Sequence, residues 1–245
     1  MPHPLKPVHT RRLREVYRSA GWPWRDMVEV ELLAWGLLER RGGDTGHETV
    51  HLTDAGVQAV AESVRGHQRA RSAHEDLVAR VAREMGRAGR IAWRGLALRA
   101  RVPTAGADGA DGAAAWCMAC PDVFSIRNTS VATYVDPVVH EIKVSRADLL
   151  GDLRNAAKRA AYLDLGGQCW YVLGRDARGR PIGDADDVPV ACGVMALDTQ
   201  GALSVLRNAP RREVAALPFH VWMVLARATP CAGLDEDAQQ ALRQA

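Results

Sequence analysis

The chain has 245 residues, of which 47% are hydrophobic, enough to bury the core of one large domain or two small ones. It contains no run of about 18 apolar residues, and residues 1–14 lack the apolar segment of a signal peptide, so we expect a globular, non-membrane protein of the cytoplasm. The five cysteines are odd in number and scattered, which indicates reduced thiols rather than a secreted disulfide framework.

The charge of the chain permits a polyanionic partner without requiring one. Its net charge is +3, from 32 Lys+Arg against 29 Asp+Glu. Arginine supplies most of the positive charge and lysine is scarce, so the two lysines in chemically suggestive places, Lys143 and Lys158, are candidates for a functional role.

Residues 1–70 are predicted to form a small α+β module. The expected elements in chain order are a helix from the cap Thr10 to near Gly21, a long helix from Pro23 to Arg41, a strand over 48–52, and a helix capped by Thr53 and Asp54. The string GLLERRGGDTGHETVHLTDAG resembles the end of a winged helix-turn-helix domain, with a hairpin wing before the last helix.

The resemblance to a winged helix is incomplete between Gly21 and Arg41, where one helix stands in place of two helices and a turn. Winged helices bind DNA, and they also serve as dimerisation and protein-contact modules. Two uses of the module therefore stay open: DNA contacts from the wing through Arg40, Arg41 and His47, or a homodimer or protein partner.

A second domain is predicted over 72–230, after a basic linker over 65–71 that is interrupted by Gly66. A capping box over 72–75 opens an amphipathic helix that ends near Gly86. The pattern then predicts a strand over 90–102, a mobile hairpin loop over 104–114, strands over 116–128 and 133–144, a helix from Ser145 to about Leu165, strands over 168–174, 188–198 and 202–208, a helix over 218–228, and an alanine-rich tail over 231–245.

The residues that suggest chemistry are Asp122, Glu141 and Lys143. Alternate residues of a strand share a face, so Glu141 and Lys143 project side by side while Ile142 turns into the core. If the two strands pair as an antiparallel hairpin, Asp122 meets the same face. We therefore expect two carboxylates and one ammonium to converge in one cleft.

Such a patch suits a hard divalent cation. Carboxylate oxygens are the ligands that Mg²⁺ or Mn²⁺ prefers, and phosphodiester cleavage needs a metal to offset charge that develops on the phosphorus centre. A lysine beside the metal orients the attacking water or stabilises the phosphate.

The order of elements around these residues resembles the core of PD-(D/E)xK, or restriction-endonuclease-like, nucleases. Within that superfamily, VVHEIKVSRADLLGDLRNAAKRAAYLDLGGQCWYVLG is similar to the MmcB-related DNA-repair nucleases, over about 72–213 in all. The long insert over 103–115 departs from the family.

The resemblance implies a role for each residue. Asp122 and Glu141 become metal ligands together with the carbonyl of Ile142 and, less directly, the carboxylate of Glu75, and Lys143 becomes the catalytic lysine. The expected nucleic-acid contacts are Arg146, Lys158, Arg159 and Tyr162. Lys158 and Tyr162 are one helical turn apart, so they line either a cleft rim or solvent, opposite an apolar arc made of Leu149, Leu153, Ala156, Ala160 and Leu163.

Three other features have structural interpretations. Ser145 and Asp148 match a capping pair. Cys117 and Cys120 have zinc-ligand spacing but no second pair, so core thiols are favoured over a metal site. Tryptophans are expected to fill the N-terminal core, with a surface patch formed by the first two as the alternative: Trp22, Trp24 and Trp35.

The sequence thus predicts an α/β protein with a restriction-endonuclease-like mixed sheet flanked by helices, preceded by a small winged-helix-like α+β domain. The predicted function is Mg²⁺- or Mn²⁺-dependent hydrolysis of DNA in repair or defence. Two alternatives are a DNA-associated regulatory or binding protein with an inactive nuclease fold, and an RNA nuclease.

Overall fold

The computed structural model describes residues 4–19, 21–42, 48–103, 114–214 and 216–231. The chain divides into two compact units, Met1–Arg71 and Ser72–Ala245. Within the described ranges, no helix has both the length and the apolar character that crossing a membrane requires.

The first unit contains two helices and a two-stranded hairpin, followed by the start of a third helix. The elements are α1 (Pro7–Arg18), α2 (Met27–Ala34), β1 (Leu38–Gly42), β2 (Glu48–Leu52) and α3 (Asp54–Arg87). The predicted strand over 48–52 is confirmed, as is the cap of α3, where the Thr53 side chain accepts a hydrogen bond from the Gly56 N–H at 3.1 Å. The core of this unit is formed by Leu13, Val16, Leu32, Leu38, Val50 and Val60.

Two helix predictions in this unit are wrong. Helix α1 begins at Pro7, whose fixed φ suits a first helical turn, so Thr10 lies inside it. The predicted helix from Pro23 to Arg41 is much shorter, because the chain turns at Gly36, which has a φ of +66°. Leu38 then pairs with Leu52, and strand pairing prevails over the helix propensity of this segment.

Charged side chains fix the start of α2. The Asp26 side chain caps the helix by accepting from the Glu29 N–H, and it forms a two-pronged ion pair with Arg12. Glu29 is fully buried and accepts from the backbone N–H groups of Trp24 and Arg25 at 2.6 and 2.9 Å. Contrary to expectation, Trp24 is 39% exposed and Trp22 67% exposed; Trp35 packs against the core.

The predicted break at Gly66 and the predicted helix start over 72–75 are wrong, since both stretches lie within α3. The boundary between the two units nevertheless falls at the end of the predicted linker over 65–71. The segment is rich in Arg, Gln and Ala, which are strong helix formers, and a single Gly66 costs only about 1 kcal/mol. Helix α3 ends at Arg87, close to the predicted Gly86.

The second unit is built on a six-stranded mixed sheet flanked by helices. Its elements after α3 are β3 (Arg90–Arg94), β4 (Leu98–Pro103), β5 (Ala114–Ala119), β6 (Val123–Arg127), a 3₁₀ turn (Ala132–Tyr134), β7 (Val138–Lys143), α4 (Arg146–Leu153), α5 (Ala156–Leu165), β8 (Gln168–Leu173), β9 (Gly193–Leu197), β10 (Leu203–Arg207) and α6 (Phe219–Arg227). The sheet order is β10-β9-β8-β7-β6-β3. Strand β8 is parallel to β7 and β9, and the other neighbours are antiparallel.

Strands β4 and β5 form a separate hairpin. The single strand predicted over 90–102 is divided at Gly95, which has a φ of +64°. Most of the loop predicted over 104–114 lies outside the described residues, and Ala114 already belongs to β5. The strand predicted over 188–198 is confined to β9.

The two faces of the sheet are covered by different layers. Helix α3 packs on one face, where Leu77, Val81 and Ile142 meet. The other face carries the larger core, which includes Phe124, Tyr162 and Tyr171 and extends to α4, α5, α6 and the β4–β5 hairpin.

The long helix predicted from Ser145 is interrupted. Helix α4 ends at Leu153 and α5 restarts after Asn155, whose side chain caps it by accepting from the Lys158 N–H. Beyond Leu153 the predicted apolar arc is only partly confirmed, because Leu163 packs against the core whereas Ala156 is exposed. Ala161, Tyr162 and Leu165 are the buried side chains of α5.

Candidate active site

Strand pairing brings Asp122 to the end of β7. Strands β6 and β7 are antiparallel, with Val123 opposite His140, as expected of the hairpin. Asp122 precedes β6, and its Oδ2 accepts a hydrogen bond of 2.7 Å from the Ile142 N–H. The side chain of Asp122 thus takes over the hydrogen bond that would have continued the ladder between the strands.

Glu141 is the centre of the site. Its side chain is 3% exposed, and a buried carboxylate requires partners for its charge. Lys143, two residues along the same face of β7, contacts Oε1, and Lys158 of α5 reaches the same oxygen at 2.6 Å. The Tyr162 hydroxyl donates to Oε2 at 2.8 Å. Two of the three lysines in the chain therefore meet at one carboxylate.

A second carboxylate, Asp152 of α4, completes the cluster. Lys158 contacts its Oδ1, and Lys143 Nζ lies 3.5 Å from the same atom. The Tyr171 hydroxyl donates to Oδ2 at 2.8 Å. Tyr171 can do so because it lies beside Glu141 in the parallel register of β7 and β8.

Burial and neighbouring charges determine the pKa shifts of Asp122, Asp152 and Lys158. Burial raises the pKa of Asp122, as does the negative charge of Glu141, despite the hydrogen bond from Ile142. Burial would also raise the pKa of Asp152, but hydrogen bonds from Lys158 and Tyr171 hold it below its ordinary value. For Lys158, burial opposes the charged form, whereas Glu141 and Asp152 raise its pKa overall. Lys158 is therefore a charged partner of both carboxylates.

Helix α3 presents His74 rather than Glu75 to Asp122. His74 Nε2 lies 3.4 Å from Asp122 Oδ2, whereas Glu75 is 65% exposed and only its Oε1 approaches His74, at 3.8 Å. The expected accessory carboxylate of Glu75 thus lies beside His74 and outside the contacts described for the cluster.

The four expected nucleic-acid contacts differ in position. Tyr162 is fully buried beneath Glu141, and Lys158 is held between two carboxylates. Arg146 forms a two-pronged ion pair with Asp187, and Arg159 donates to the Leu153 carbonyl at 2.7 Å. Lys158 and Tyr162 thus serve the carboxylate cluster rather than a cleft rim.

The arginines of the first unit's hairpin are paired with acidic side chains. Arg40 contacts Glu29 at 2.8 Å and Glu48 at 3.4 Å. Arg41 contacts Glu39 at 2.6 Å, while His47 lies outside the described residues. In the described strands of the hairpin, both arginines are thus already paired.

The remaining sequence features have structural roles or none. Ser145 occupies the cap position of α4, but its side chain makes no capping hydrogen bond. Cys117 is half-buried and Cys120 is exposed, so Cys120 is not the core thiol that was expected. The five cysteines are free thiols.

Sequence reasoning missed Asp152, Tyr171 and His74 as members of the site. Tyr171 had a detectable signal, since a polar hydroxyl in the middle of the apolar run QCWYVLG is unusual in a buried strand. Asp152 is a helix residue without a motif of its own, and its contacts with Lys158 and Tyr171 arise from tertiary packing.

Asp122 and Glu141 carry carboxylate oxygens, the type of donor atom that a hard divalent cation prefers. In a strand, the N–H and C=O of one residue point to the same edge, so the carbonyl of Ile142 points towards the edge where its N–H meets Asp122. Among the described residues, no three His, Cys, Asp or Glu side chains form a group that would hold a metal. One or two carboxylates completed by water is the usual set for Mg²⁺, and it is less suited to Zn²⁺.

Comparison of the chain with protein-family models, curated proteins and solved structures gave no match. The function is therefore argued from the geometry of the site.

Proposed function

We propose that the chain is a divalent-metal-dependent nuclease that hydrolyses DNA phosphodiester bonds, in repair or defence. The second unit would have a restriction-endonuclease-like fold of the PD-(D/E)xK type. One observation carries the proposal: Lys143 contacts Glu141 on one face of β7, while Asp122 of the neighbouring segment binds the backbone N–H between them.

Each residue has a role in the proposed reaction. Asp122, Glu141 and the carbonyl of Ile142 would hold Mg²⁺ or Mn²⁺, which when bound supplies charge compensation for the phosphate and a more acidic water. Lys143 directs its ammonium group towards the attacking water and the phosphate. Lys158 and Tyr162 hold Glu141 in place, and Asp152 holds both lysines.

The first unit is proposed as a winged-helix-like module that contacts protein, either a second copy or another partner. The ion pairs of Arg40 and Arg41 support this role over DNA binding, because a hairpin whose cations are already paired gains less from phosphate contacts.

A DNA-associated binding protein without turnover is the second candidate. It is favoured by the complete pairing of Glu141, because both of its oxygens already have partners from the chain itself. An RNA nuclease would use the same residues as the DNA nuclease, so the choice of substrates in the test must separate them.

The test is incubation of the full chain with supercoiled plasmid, single-stranded DNA circles and RNA, each with Mg²⁺, Mn²⁺ or EDTA. We expect metal-dependent cleavage of DNA by the wild type and its loss in Lys143→Met, which removes the charge but keeps most of the side-chain volume. Lys6→Met in the first unit is the matched control and should cleave normally. Equal cleavage by wild type and Lys143→Met would refute the proposal.

A further inference from the structure

The β4–β5 hairpin has one buried and one exposed face. On β4, Leu98 and Ala100 are buried, whereas Arg99 and Arg101 are exposed. The register places Arg99 opposite Met118 and Arg101 opposite Trp116. Opposite residues of an antiparallel pair share a face, so two arginines, a tryptophan and a methionine form one surface.

Trp116 is both exposed and held in position. Its side chain is 52% exposed. The Arg101 guanidinium lies 5.2 Å from the ring centroid, and the His220 ring of α6 meets the indole edge-on at 5.1 Å. His220 in turn hydrogen-bonds the Arg99 carbonyl at 3.0 Å. The indole is thus preorganised for a ligand that has a flat face.

The charge of this surface suits an anion. In the part of the chain that the structure describes, neither Arg99 nor Arg101 forms an ion pair with a carboxylate. The nearby Asp164 accepts a hydrogen bond of 2.8 Å from the backbone N–H of Arg101. Exposed guanidinium groups beside a half-exposed aromatic ring are the combination that binds single-stranded nucleic acid, through phosphates and through stacked bases.

The chain itself connects this surface to Asp122. Trp116, Met118 and Cys120 are exposed alternate residues of β5 and the segment after it, and Asp122 follows two residues later. Six residues of extended chain span roughly 20 Å, the length of a few nucleotides of single strand.

We propose that this face binds single-stranded nucleic acid, with a base stacked on Trp116 and phosphates held by Arg99 and Arg101, and that it guides the strand towards Asp122. The proposal that this surface binds nucleic acid is argued from the contacts of Trp116, Arg99 and Arg101 alone. The proposal that it guides the strand to Asp122 rests on the proposed nuclease function.

Fluorescence anisotropy in EDTA measures binding without cleavage. The probes are labelled oligonucleotides of about 12 units, within the usual site size: oligo(dT), oligo(U) and a DNA duplex of the same length. We expect wild type to prefer a single strand to the duplex, and the two single strands show whether the sugar matters. Trp116→Ala should bind the preferred strand about tenfold more weakly, and Trp116→Phe should retain most of the affinity.

The control is Trp22→Ala, which removes another exposed tryptophan from the first unit and should bind like the wild type. Arg99→Gln and Arg101→Gln should each lower the slope of log affinity against log salt concentration by about 0.7. Circular dichroism confirms that each variant is folded.

Equal binding by Trp116→Ala and Trp22→Ala, or a preference of the wild type for duplex, would overturn the proposal. The two proposals are separable. If nucleic acid binds through Trp116 but no metal-dependent cleavage occurs, the proposed nuclease function is refuted and the proposed binding surface stands. If the protein cleaves DNA but Trp116→Ala binds as well as the wild type, the binding surface is refuted and the nuclease function stands.

Discussion

Lys158 Nζ lies 2.6 Å from Glu141 Oε1, although the two residues are 17 positions apart and belong to a helix and a strand. The same ammonium group contacts Asp152, and its side chain is only 30% exposed. Two buried carboxylates therefore share this cation with Lys143. The pairing makes Lys158 a determinant of stability as well as of site geometry.

Lys158→Met should lower the stability of the second unit by about 2 kcal/mol, because two buried carboxylates lose a charged hydrogen-bond donor. The thermal midpoint should fall by roughly 4–8 °C for a unit of this size. Differential scanning calorimetry checks this. Lys6→Met is the control, and an equal midpoint in both variants would contradict the assigned role.

Asp122→Ala should weaken metal binding and abolish cleavage together, whereas Lys143→Met should abolish cleavage with metal binding largely retained. The reason is that Asp122 supplies an oxygen donor and Lys143 supplies a cation that acts on the water and phosphate. We expect each variant to cut on the order of 100-fold more slowly or worse. Isothermal titration with Mn²⁺ distinguishes the two, and identical titrations would argue against these assignments.

The pH dependence of the first unit should follow Asp26. Hydrogen bonding and the charge of Arg12 lower the pKa of Asp26 to about 2 from its usual 3.8. A lowered pKa stabilises the folded state above the unfolded value, and this contribution is lost as the pH falls from about 4 to 2. Since the carboxylate is 43% exposed, solvent screening limits the effect to about 1 kcal/mol.

Asp26→Asn tests this assignment, because Asn caps a helix as well as Asp does but carries no charge. The variant should be less stable than wild type at pH 7, and the difference should shrink towards pH 2. Hydrogen exchange of α1 and α2 in the full chain reports the local stability. A difference that stays constant with pH would show that the ion pair with Arg12 contributes nothing.

Arg41→Gln should leave DNA affinity and its salt dependence unchanged, since Arg41 is already paired with Glu39. Arg101→Gln is the contrasting variant, because it removes an exposed cation that has no carboxylate partner among the described residues of the second unit. A weaker, less salt-dependent complex of Arg41→Gln with duplex DNA would show that the hairpin of the first unit binds DNA after all. Truncating residues 1–70 is a poorer test, because it would cut α3.

Strand periodicity predicted the part of the site that lies on β7. Alternation alone places Glu141 and Lys143 on one face and Ile142 in the core. This alternation does not depend on which helices pack on the sheet. The placement of Asp122 beside this strand depended on antiparallel pairing of the two strands. Strands β6 and β7 do pair in this way.

Helix boundaries were the least predictable feature, because they depend on competition from distant partners. The segment around Leu38 has high helix propensity, yet pairing with β2 makes it a strand. The linker over 65–71 has the composition of a helix and forms one. The break between α4 and α5 depends on the capping side chain of Asn155, which a periodic pattern does not reveal.

Asn155 also determines the direction in which the side chains of α5 point about the helix axis. The connection between α4 and α5 is only two residues long, so deletion of one of them would draw the next residue of the chain into the start of α5. A shift of one residue corresponds to a rotation of about 100° about the axis of an α-helix. Lys158 and Tyr162 would then leave Glu141 together, although neither had been substituted. The length of the short connection at 154–155 thus determines which side chains of α5 face Glu141. A change in that length would disable the carboxylate cluster while every residue of the cluster remained in the sequence.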